Sequence, residues 1–300
     1  MIKLMTMKNP HHRDLEDYKI VEDSNCGFRQ LSPIPSEEEL KELYTEDYYQ
    51  DHYPEWIEKS LKEKDYWLMM YEDRFDALEK RTEKRRILDI GSFLGFFLEV
   101  GQKRGWDCLG IEPSTPAREI AIKAGIDTKS GLFEDYTVDD IGTFDVINLA
   151  LTLEHIRDPK LTIERIYQFL NPGGLIVIEV PNDFNPLQEA AQKVLGVHQY
   201  WLAPPHHINY FNFDNLPKLL KNCGFETIHK MATFPMELFL MMGENYIGNN
   251  EVGSSCHSRR MTFEKNMNKA GLNNMRAKLY DFFASEGIGR EMIVFGEKID

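Results

Sequence analysis

The sequence has few cysteines and no long apolar run. Cys26, Cys108, Cys223 and Cys256 are widely scattered, and no two of them form a Cys-x-x-Cys pair. This spacing argues against a disulfide framework and against a tetrahedral zinc site, so we expect reduced thiols. No segment approaches the roughly 20 apolar residues that a membrane-spanning helix needs, and the start of the chain turns polar before a signal-peptide core could form. We therefore expect a cytoplasmic protein without a membrane partner.

Basic charge is also scarce. The chain has 35 lysines and arginines against 49 acidic residues, which gives a net charge of −14. A nucleic-acid backbone would be repelled by most of such a surface, so nucleic acid is excluded as a partner and a small-molecule substrate is expected. Repeats and low-complexity tracts are absent as well. The 300 residues are 42% hydrophobic, enough for one substantial core with appendages.

The N-terminal 82 residues differ in pattern from the rest. Residues 1–35 predict irregular structure, and a helix from Pro35 to Tyr44 follows, with Ser36 as a candidate N-cap. Apolar residues at three- and four-residue steps predict an amphipathic helix over 57–81. The aromatic-rich segment between these helices predicts a partly ordered lid or connector. We therefore expect residues 1–82 to form a cap on the substrate side of a domain that spans 83–300.

From residue 86 onward, short apolar runs alternate with helical patterns. The predicted strands are 86–91, 107–112, 126–130, 144–150 and 174–180, and the predicted helices are 95–104, 115–124 and 160–170. This alternation predicts an α/β fold with a parallel sheet and helices on both faces. A helix from Asp214 to Gly224 and a strand over 225–231 come next. The last strand, at 291–297, follows a helical insertion over 234–289 that would cover the substrate or form a homodimer contact.

A glycine turn follows the first of these strands. In Asp89-Ile90-Gly91-Ser92-Phe93-Leu94-Gly95, Gly91 lets the chain turn sharply and Gly95 lets the next helix pack closely with its N-terminal amides towards a ligand. Ligands of open parallel sheets bind at this carboxyl edge. Glu112 ends the next strand, where a carboxylate can accept hydrogen bonds from a ribose diol. The turn therefore predicts a site for a ribose-containing cofactor.

Phe93 decides between two such cofactors. A dinucleotide needs glycine at this position so that its pyrophosphate can approach the backbone. The phenylalanine would block that approach, which disfavours an NAD-dependent dehydrogenase. S-adenosylmethionine carries no phosphate, and its ammonium group would suit an acid such as Asp89. The sequence thus favours S-adenosylmethionine.

At this point the sequence resembles the class I S-adenosylmethionine-dependent methyltransferases, in the branch related to small-molecule and sugar methyltransferases. Four segments carry the resemblance in order: ILDIGSFLGFFL, LGIEPS, FDVINLALTLEHIRDP and FLNPGGLIVIEVPN. It extends from about Glu83 to Lys230 and resumes at the last strand. The resemblance implies a Rossmann-like, seven-stranded, mostly parallel sheet whose last strand is antiparallel. It also implies S-adenosylmethionine as cofactor and S-adenosylhomocysteine as product.

The same resemblance implies a set of cofactor-binding residues. The methionine part would contact Asp89, Gly91, Ser92 and Gly95, the ribose Glu112 and Pro113, the adenine Leu132 and Phe133, and the sulfonium Asn148 and Leu149. Leu132 stands where relatives often have an acid, so Glu134 or a backbone carbonyl would replace it. The lid aromatics Tyr44, Tyr48, Tyr49, Tyr53 and Trp56 either cover the sulfonium by cation–π contact or pin the N-terminal helix to the core. Tyr49 is the one we assign to the cofactor.

Three histidines are candidates for the base that removes a proton from the acceptor. PPHHINYF is similar to the Glu-His-x-x-Tyr-Phe stretch of sugar C-methyltransferases, which places His207 at the base position and His206 where those relatives have an acid. Because this chain lacks that acid, it departs from the residues that those relatives use for carbon methylation. The alternative is that both are ordinary loop residues. His155 either belongs to a helix cap with Glu154 or, as in some relatives, forms part of a metal site, but no further ligand is evident in the sequence.

These observations predict an enzyme that methylates a small molecule. The acceptor atom would be an oxygen of a sugar, nucleotide-sugar or glycan precursor, with histidine as general base. Carbon or nitrogen methylation and a catalytically silent cofactor-binding subunit are the alternatives. No metal is expected, because a zinc site from His11, His12 and Cys26 would lack a fourth ligand. An anionic acceptor would need local cations, for which the candidates are Arg157, Arg259, Arg260 and Arg290.

Overall fold

The computed structural model describes residues 18–42 and 53–299. The predictions for His11, His12, Tyr44, Tyr48 and Tyr49 therefore lie outside the described residues. Among the described residues, no helix combines the length and the apolar character needed to cross a bilayer.

The N-terminal part contains two strands and three helices. They are β1 (Lys19–Glu22), β2 (Arg29–Ser32), α1 (Glu37–Glu42), α2 (Tyr53–Lys62) and α3 (Lys64–Glu79). The prediction of irregular structure up to residue 35 was wrong, since β1 and β2 form an antiparallel hairpin. The single helix predicted over 57–81 is divided at Glu63 into α2 and α3. The hairpin was missed because β1 is short and largely exposed, so it shows no apolar alternation.

The following elements alternate between strands and helices, as predicted. They are β3 (Arg86–Ile90), α4 (Phe96–Lys103), β4 (Asp107–Glu112), α5 (Thr115–Lys123), β5 (Thr128–Ser130), α6 (Val138–Ile141), β6 (Phe144–Ala150), α7 (Pro159–Phe169) and β7 (Leu170–Pro181). After them come α8 (Pro186–Leu195), β8 (Asn209–Tyr210), α9 (Asn215–Asn222), β9 (Phe225–Ala232), α10 (Glu237–Met241), α11 (Asn250–Lys269), α12 (Asn273–Ser285) and β10 (Glu291–Lys298). The helical insertion is thus α10 to α12. The helix α8 was not predicted.

The main sheet has seven strands in the order β5-β4-β3-β6-β7-β10-β9. β3 pairs in parallel with both β4 and β6, whereas β10 is antiparallel to both β7 and β9. This confirms a mostly parallel, seven-stranded sheet with an antiparallel last strand. The strand order reverses between β3 and β6, so the crevice that binds ligands in such sheets opens at their carboxyl ends.

Both faces of the sheet are covered. On one face, Ile147 and Leu149 of β6 belong to a hydrophobic cluster with residues of α7 and α9. On the other face, Val146 packs in a second cluster with Phe75 of α3 and Phe97 of α4. Because side chains alternate along a strand, Asn148 points to the same side as Val146, towards α3. A separate three-stranded sheet, β1-β2-β8, joins the N-terminal hairpin to the loop that contains His207.

Candidate active site

Three strand ends of the main sheet carry unusual backbone conformations. Phe93, Leu151 and Phe184 follow β3, β6 and β7, with φ angles of 48°, 52° and 54°. Within the described ranges they are the non-glycine residues with positive φ. Strained backbone of this kind clusters at ligand-binding sites, because the surrounding fold must hold it in place. The carboxyl edge between β3 and β7 is therefore the candidate site.

The glycine turn after β3 is too crowded for side chains. A Cβ atom on Gly91 would lie 2.6 Å from the Thr152 hydroxyl, and one on Gly95 would lie 3.1 Å from Ile126. Both glycines also have positive φ angles. Phe93 fits in this turn because it packs with Trp67 and Tyr71 of α3 against a small apolar cluster. The N-terminal helices therefore contact the turn directly.

Glu112 is held in place by two backbone amides. Its Oε2 atom accepts a hydrogen bond from the amide of Phe93 at 2.8 Å, and its Oε1 atom accepts one from the amide of Ser114, also at 2.8 Å. Each carboxylate oxygen can accept two hydrogen bonds, so a fixed carboxylate retains acceptor capacity for a diol. Pro113, between them, is exposed. The turn after β3 and the end of β4 thus form one rigid unit.

Asp89 and Asn148 are neighbours on β3 and β6 and are both buried. The Asn148 amide donates to the Asp89 Oδ1 atom at 2.6 Å. Burial raises the pKa of Asp89 to about 7, against the hydrogen bond from Asn148 and the charge of Arg74, which both lower it. In the described structure, the Asn148 Oδ1 atom and the Ser92 hydroxyl are buried without a hydrogen-bond partner. Unsatisfied buried polar atoms at one edge indicate a place for a polar ligand.

A residue that the sequence did not single out also reaches this edge. Arg74 of α3 is buried and donates from Nη1 to Glu179 of β7 at 2.7 Å. Its charge acts on Asp89 as well, and Tyr71 lies one turn before it. The apolar spacing of α3 concealed this arginine, because only the packing of the helix on the sheet shows that it is buried.

The apolar residues predicted around the cofactor are not all accessible. Leu132, which was predicted at the adenine, is 56% exposed, and Leu151 is 49% exposed. Phe133, in contrast, is buried with its ring centroid 4.9 Å from that of Phe169, and Leu149 is buried in the sheet core. The cofactor contacts of Phe133 and Leu149 stay predictions, and the side chains of both residues are buried in the core.

The turn after β6 brings together residues that are distant in sequence. The His155 Nδ1 atom donates to the carbonyl oxygen of His206 at 2.7 Å, and the rings of His155 and His207 are 5.0 Å apart. One ligand atom from each of Glu154, His155 and His207 lies within 4.8 Å of the other two. The further ligand that was not evident in the sequence is thus His207. His206 takes part through its carbonyl group.

Burial controls the protonation of this cluster. It lowers the pKa of His155 and lowers that of His207 well below its usual value, while it raises the pKa of Glu154 well above its usual value. The Glu154 Oε2 atom and the His207 Nδ1 atom are buried without hydrogen-bond partners among the described residues. Two neutral imidazoles beside a carboxyl group can accept a proton from a bound molecule or hold a divalent cation.

The comparison with known families settles which class of protein has this site. The sequence profile of a methyltransferase domain matches residues 69–230, more than half of the chain. The chain belongs to the class I S-adenosylmethionine-dependent methyltransferases. The methyl donor of this methyltransferase is S-adenosylmethionine. The buried acceptors at the ends of β3, β4 and β6 fit its polar ends, and exposed Leu132 suits the adenine.

Curated relatives of the methyltransferase are distant. A probable S-adenosylmethionine-dependent methyltransferase of Mycolicibacterium smegmatis is 23% identical over 58% of this chain and 65% of its own length. A ubiquinone biosynthesis O-methyltransferase of Cereibacter sphaeroides is 27% identical over 58% of this chain and 74% of its own. About a third of the first relative's length and about a quarter of the second's therefore lie outside the matched regions.

Solved structures share the fold of the methyltransferase. A methyltransferase from Archaeoglobus fulgidus superposes with a TM-score of 0.53 at 16% identity, covering 83% of this chain and all of that one. The plantazolicin methyltransferase BpumL, in complex with S-adenosylhomocysteine, gives a TM-score of 0.50 at 16% identity, over 84% of this chain and 93% of its own.

Proposed function

We propose that this methyltransferase transfers a methyl group to an oxygen of a small-molecule acceptor, a sugar, nucleotide-sugar or glycan precursor, with His207 as general base. The observation that carries the proposal is the cluster of Glu154, His155 and His207 beside the glycine turn. Thr152 connects this cluster to the glycine turn. Its hydroxyl donates to the carbonyl of Ile90 at 3.3 Å, and Thr152 directly precedes the turn that holds Glu154. The names of the ubiquinone biosynthesis relatives support oxygen as the acceptor atom.

The cofactor would be oriented by residues at the ends of β3 and β4. Asp89 would pair with its ammonium group, Glu112 would accept hydrogen bonds from the ribose hydroxyls, and Leu132 would cover the adenine. S-adenosylmethionine supplies an electrophilic methyl group, so the protein's task is to align the acceptor oxygen with it and to remove the oxygen's proton. The narrow turn at Gly91 and the docked helix α3 give the site a rigid wall.

His207 would remove the proton. Because burial lowers the pKa of His207, its imidazole is neutral near pH 7 and can accept a proton. An oxygen of the neighbouring Glu154 would accept a hydrogen bond from the imidazolium that forms. His155 would be a positioning residue, since its hydrogen bond to the carbonyl of His206 fixes the loop that carries His207.

The same three residues favour a second form of the reaction. One carboxylate and two neutral imidazoles are ligands that zinc, manganese and iron accept. The hydrogen bond from His155 Nδ1 to a backbone carbonyl is the outer contact that metal-bound histidines usually make. A divalent cation held by Glu154, His155 and His207 would lower the pKa of an acceptor hydroxyl, and His207 would then be a ligand instead of a base.

Two measurements test the proposal. Calorimetry should show that S-adenosylhomocysteine binds, that Glu112→Ala weakens it, and that Glu119→Ala, which removes an exposed acid of α5, does not. Transfer of a labelled methyl group to screened acceptors should fall about 10²–10⁴-fold in His207→Ala, with cofactor affinity unchanged. Loss of activity on chelation, restored by manganese or zinc, would favour the metal form. Cofactor binding without any transfer would instead support a silent subunit.

A further inference from the structure

A second pair of buried acids lies at the same edge of the sheet. Asp183 follows β7 and Glu237 begins α10, and their exposed fractions are 3% and 0%. Tyr200 donates to the Glu237 Oε1 atom at 3.2 Å. The Asp183 Oδ2 and Glu237 Oε2 atoms have no hydrogen-bond partner in the part of the chain that the structure describes. Buried carboxylates without donors are rare unless a ligand supplies them.

Acidic side chains outnumber basic ones around this pair. Arg290 attracts Asp183 and Glu237, but it also lies 3.7 Å from Glu291. Glu154 faces Asp183 from the histidine cluster, and the repulsion contributes to its raised pKa. Arg290 thus interacts with several acidic side chains at once. A cation bound here would stabilise the ionised form of the acids, whereas a phosphate would compete with them for Arg290.

The other candidates for binding an anion are engaged elsewhere. Arg157 donates to the carbonyl of Pro35 at 3.0 Å, Arg259 pairs with Glu244 at 2.8 Å, and buried Arg260 lies 3.9 Å from Glu264. Only Arg290, among the four arginines considered, faces the acids at the strand ends. Its side chain is 39% exposed, so this arginine is accessible to solvent although the two acids are buried.

Aromatic rings line the same space. Trp201 packs edge-on against Phe184 at 5.5 Å and against Tyr200 at 5.3 Å. The Trp201 Nε1 atom is buried and, in the described structure, donates to no acceptor. Aromatic faces attract cations, and a buried indole N–H usually finds an oxygen. These walls suit a cationic molecule that also carries hydroxyl groups.

The acids are close to the proposed base. The rings of Tyr210 and His207 are 6.5 Å apart, and the charge of Arg290 acts on His207. The amide of Asp183 donates to the carbonyl of Phe211, next to Tyr210, at 2.8 Å. A molecule bound by the acids would therefore lie near His207, on the acceptor's side of the reaction.

We propose that Asp183 and Glu237 bind a protonated amino group of the methyl acceptor, so that the acceptor is a small hydroxylated amine. This inference rests on the proposed function and narrows its substrate class. The ammonium group would supply the missing donors to both carboxylates, and the hydroxyl to be methylated would lie towards His207. Among the acceptors named above, it favours those with an amino group and disfavours those that would place a phosphate here.

The test uses matched amines and alcohols on the complex with S-adenosylhomocysteine. D-glucosamine and tyramine should bind at least about tenfold more tightly than D-glucose and tyrosol, measured by calorimetry, because the alcohols lack the charged donor. Their N-acetyl derivatives should bind as weakly as the alcohols. Asp183→Asn and Glu237→Gln should remove this preference without changing the affinity for S-adenosylhomocysteine. Asp139→Asn, which alters an exposed acid of α6, is the control and should retain it.

Four results would overturn the inference. They are equal binding of amines and alcohols, no binding of either amine, tighter binding of D-glucose 6-phosphate, and binding of magnesium or manganese alone that is lost in Asp183→Asn. If S-adenosylhomocysteine itself does not bind, the proposed function fails, and this outcome is recorded before any amine is added. The two failures are therefore distinguishable.

Discussion

Two groups of buried acids in this molecule are satisfied to very different degrees. Glu264 of α11 lies in the helical layer, where the hydroxyls of Tyr66 and Tyr280 donate to its two carboxylate oxygens at 2.6 and 2.5 Å. Asp183 and Glu237 lie at the strand ends, where one oxygen of each has no partner among the described residues. The acids of the two groups are thus similarly buried, but their carboxyl oxygens differ in how many hydrogen bonds they accept.

The difference separates a structural role from a binding role. In the helical layer, Arg276 adds hydrogen bonds to the carbonyl of Glu264 at 2.8 Å and to Asp73 of α3 at 2.6 Å. This network joins α3, α11 and α12, so the insertion is fixed to the helix that covers the sheet. A saturated buried network stabilises one arrangement of the chain, whereas unsatisfied groups lower stability until a ligand binds.

The largest effect on stability is expected from Glu264→Leu. This change leaves two tyrosine hydroxyls buried without their acceptor and buried Arg260 without its nearby negative charge, so the free energy of unfolding should fall by about 3–5 kcal/mol. Urea unfolding followed by circular dichroism measures it. Glu286→Leu, at an exposed position after α12, should change stability by less than about 0.5 kcal/mol. Similar losses in both variants would show that the network has no special role.

Asp89 is intermediate between the two groups, since it has one amide donor and a raised pKa of about 7. If it pairs with the cofactor's ammonium, only its ionised form binds well, so affinity should increase with pH through about 7 and then level off. The rise between pH 6 and pH 8 should be about threefold to tenfold for one ionisation. Calorimetry with S-adenosylhomocysteine measures it. In Asp89→Asn, the affinity should be lower and independent of pH, and an unchanged slope would assign the titration to another group.

The sequence predicted the central sheet well because its strands are continuous apolar runs. β3, β4 and β6 agree with their predicted ranges to within a residue. β7 begins four residues earlier than predicted, through Asn-Pro-Gly-Gly, whose composition indicates a turn. The hairpin of β1 and β2 has no such signal, because its strands are short and their pairing depends on β8, far away in sequence.

The candidate site was predicted only where a motif lies within one segment. The glycine turn, Glu112 and the Glu154-His155 pair are local patterns of this kind. The approach of His207 to Glu154, in contrast, results from packing of the loop that contains β8 against the turn after β6. Asp183, Glu237 and Arg74 are also unremarkable in sequence. Their importance comes from burial, which depends on the complete fold.

The effect on stability expected from Asp183→Asn is opposite in sign to that of Glu264→Leu and depends on pH. Burial raises the pKa of Asp183 to about 8, whereas an aspartate in the unfolded chain titrates near about 4. The folded protein therefore holds a proton that the unfolded chain has lost, so stability falls as pH rises from about 4 to about 8. Asparagine removes this penalty. The variant should melt at about the same temperature as the parent at pH 4 and several degrees higher at pH 8, because each unit of pKa difference corresponds to about 1.4 kcal/mol. Scanning calorimetry at both pH values tests it, with Asp139→Asn as the control. A lower melting temperature at pH 8 would mean that Asp183 stabilises the empty site as an ion, and the two acid groups would then have the same role.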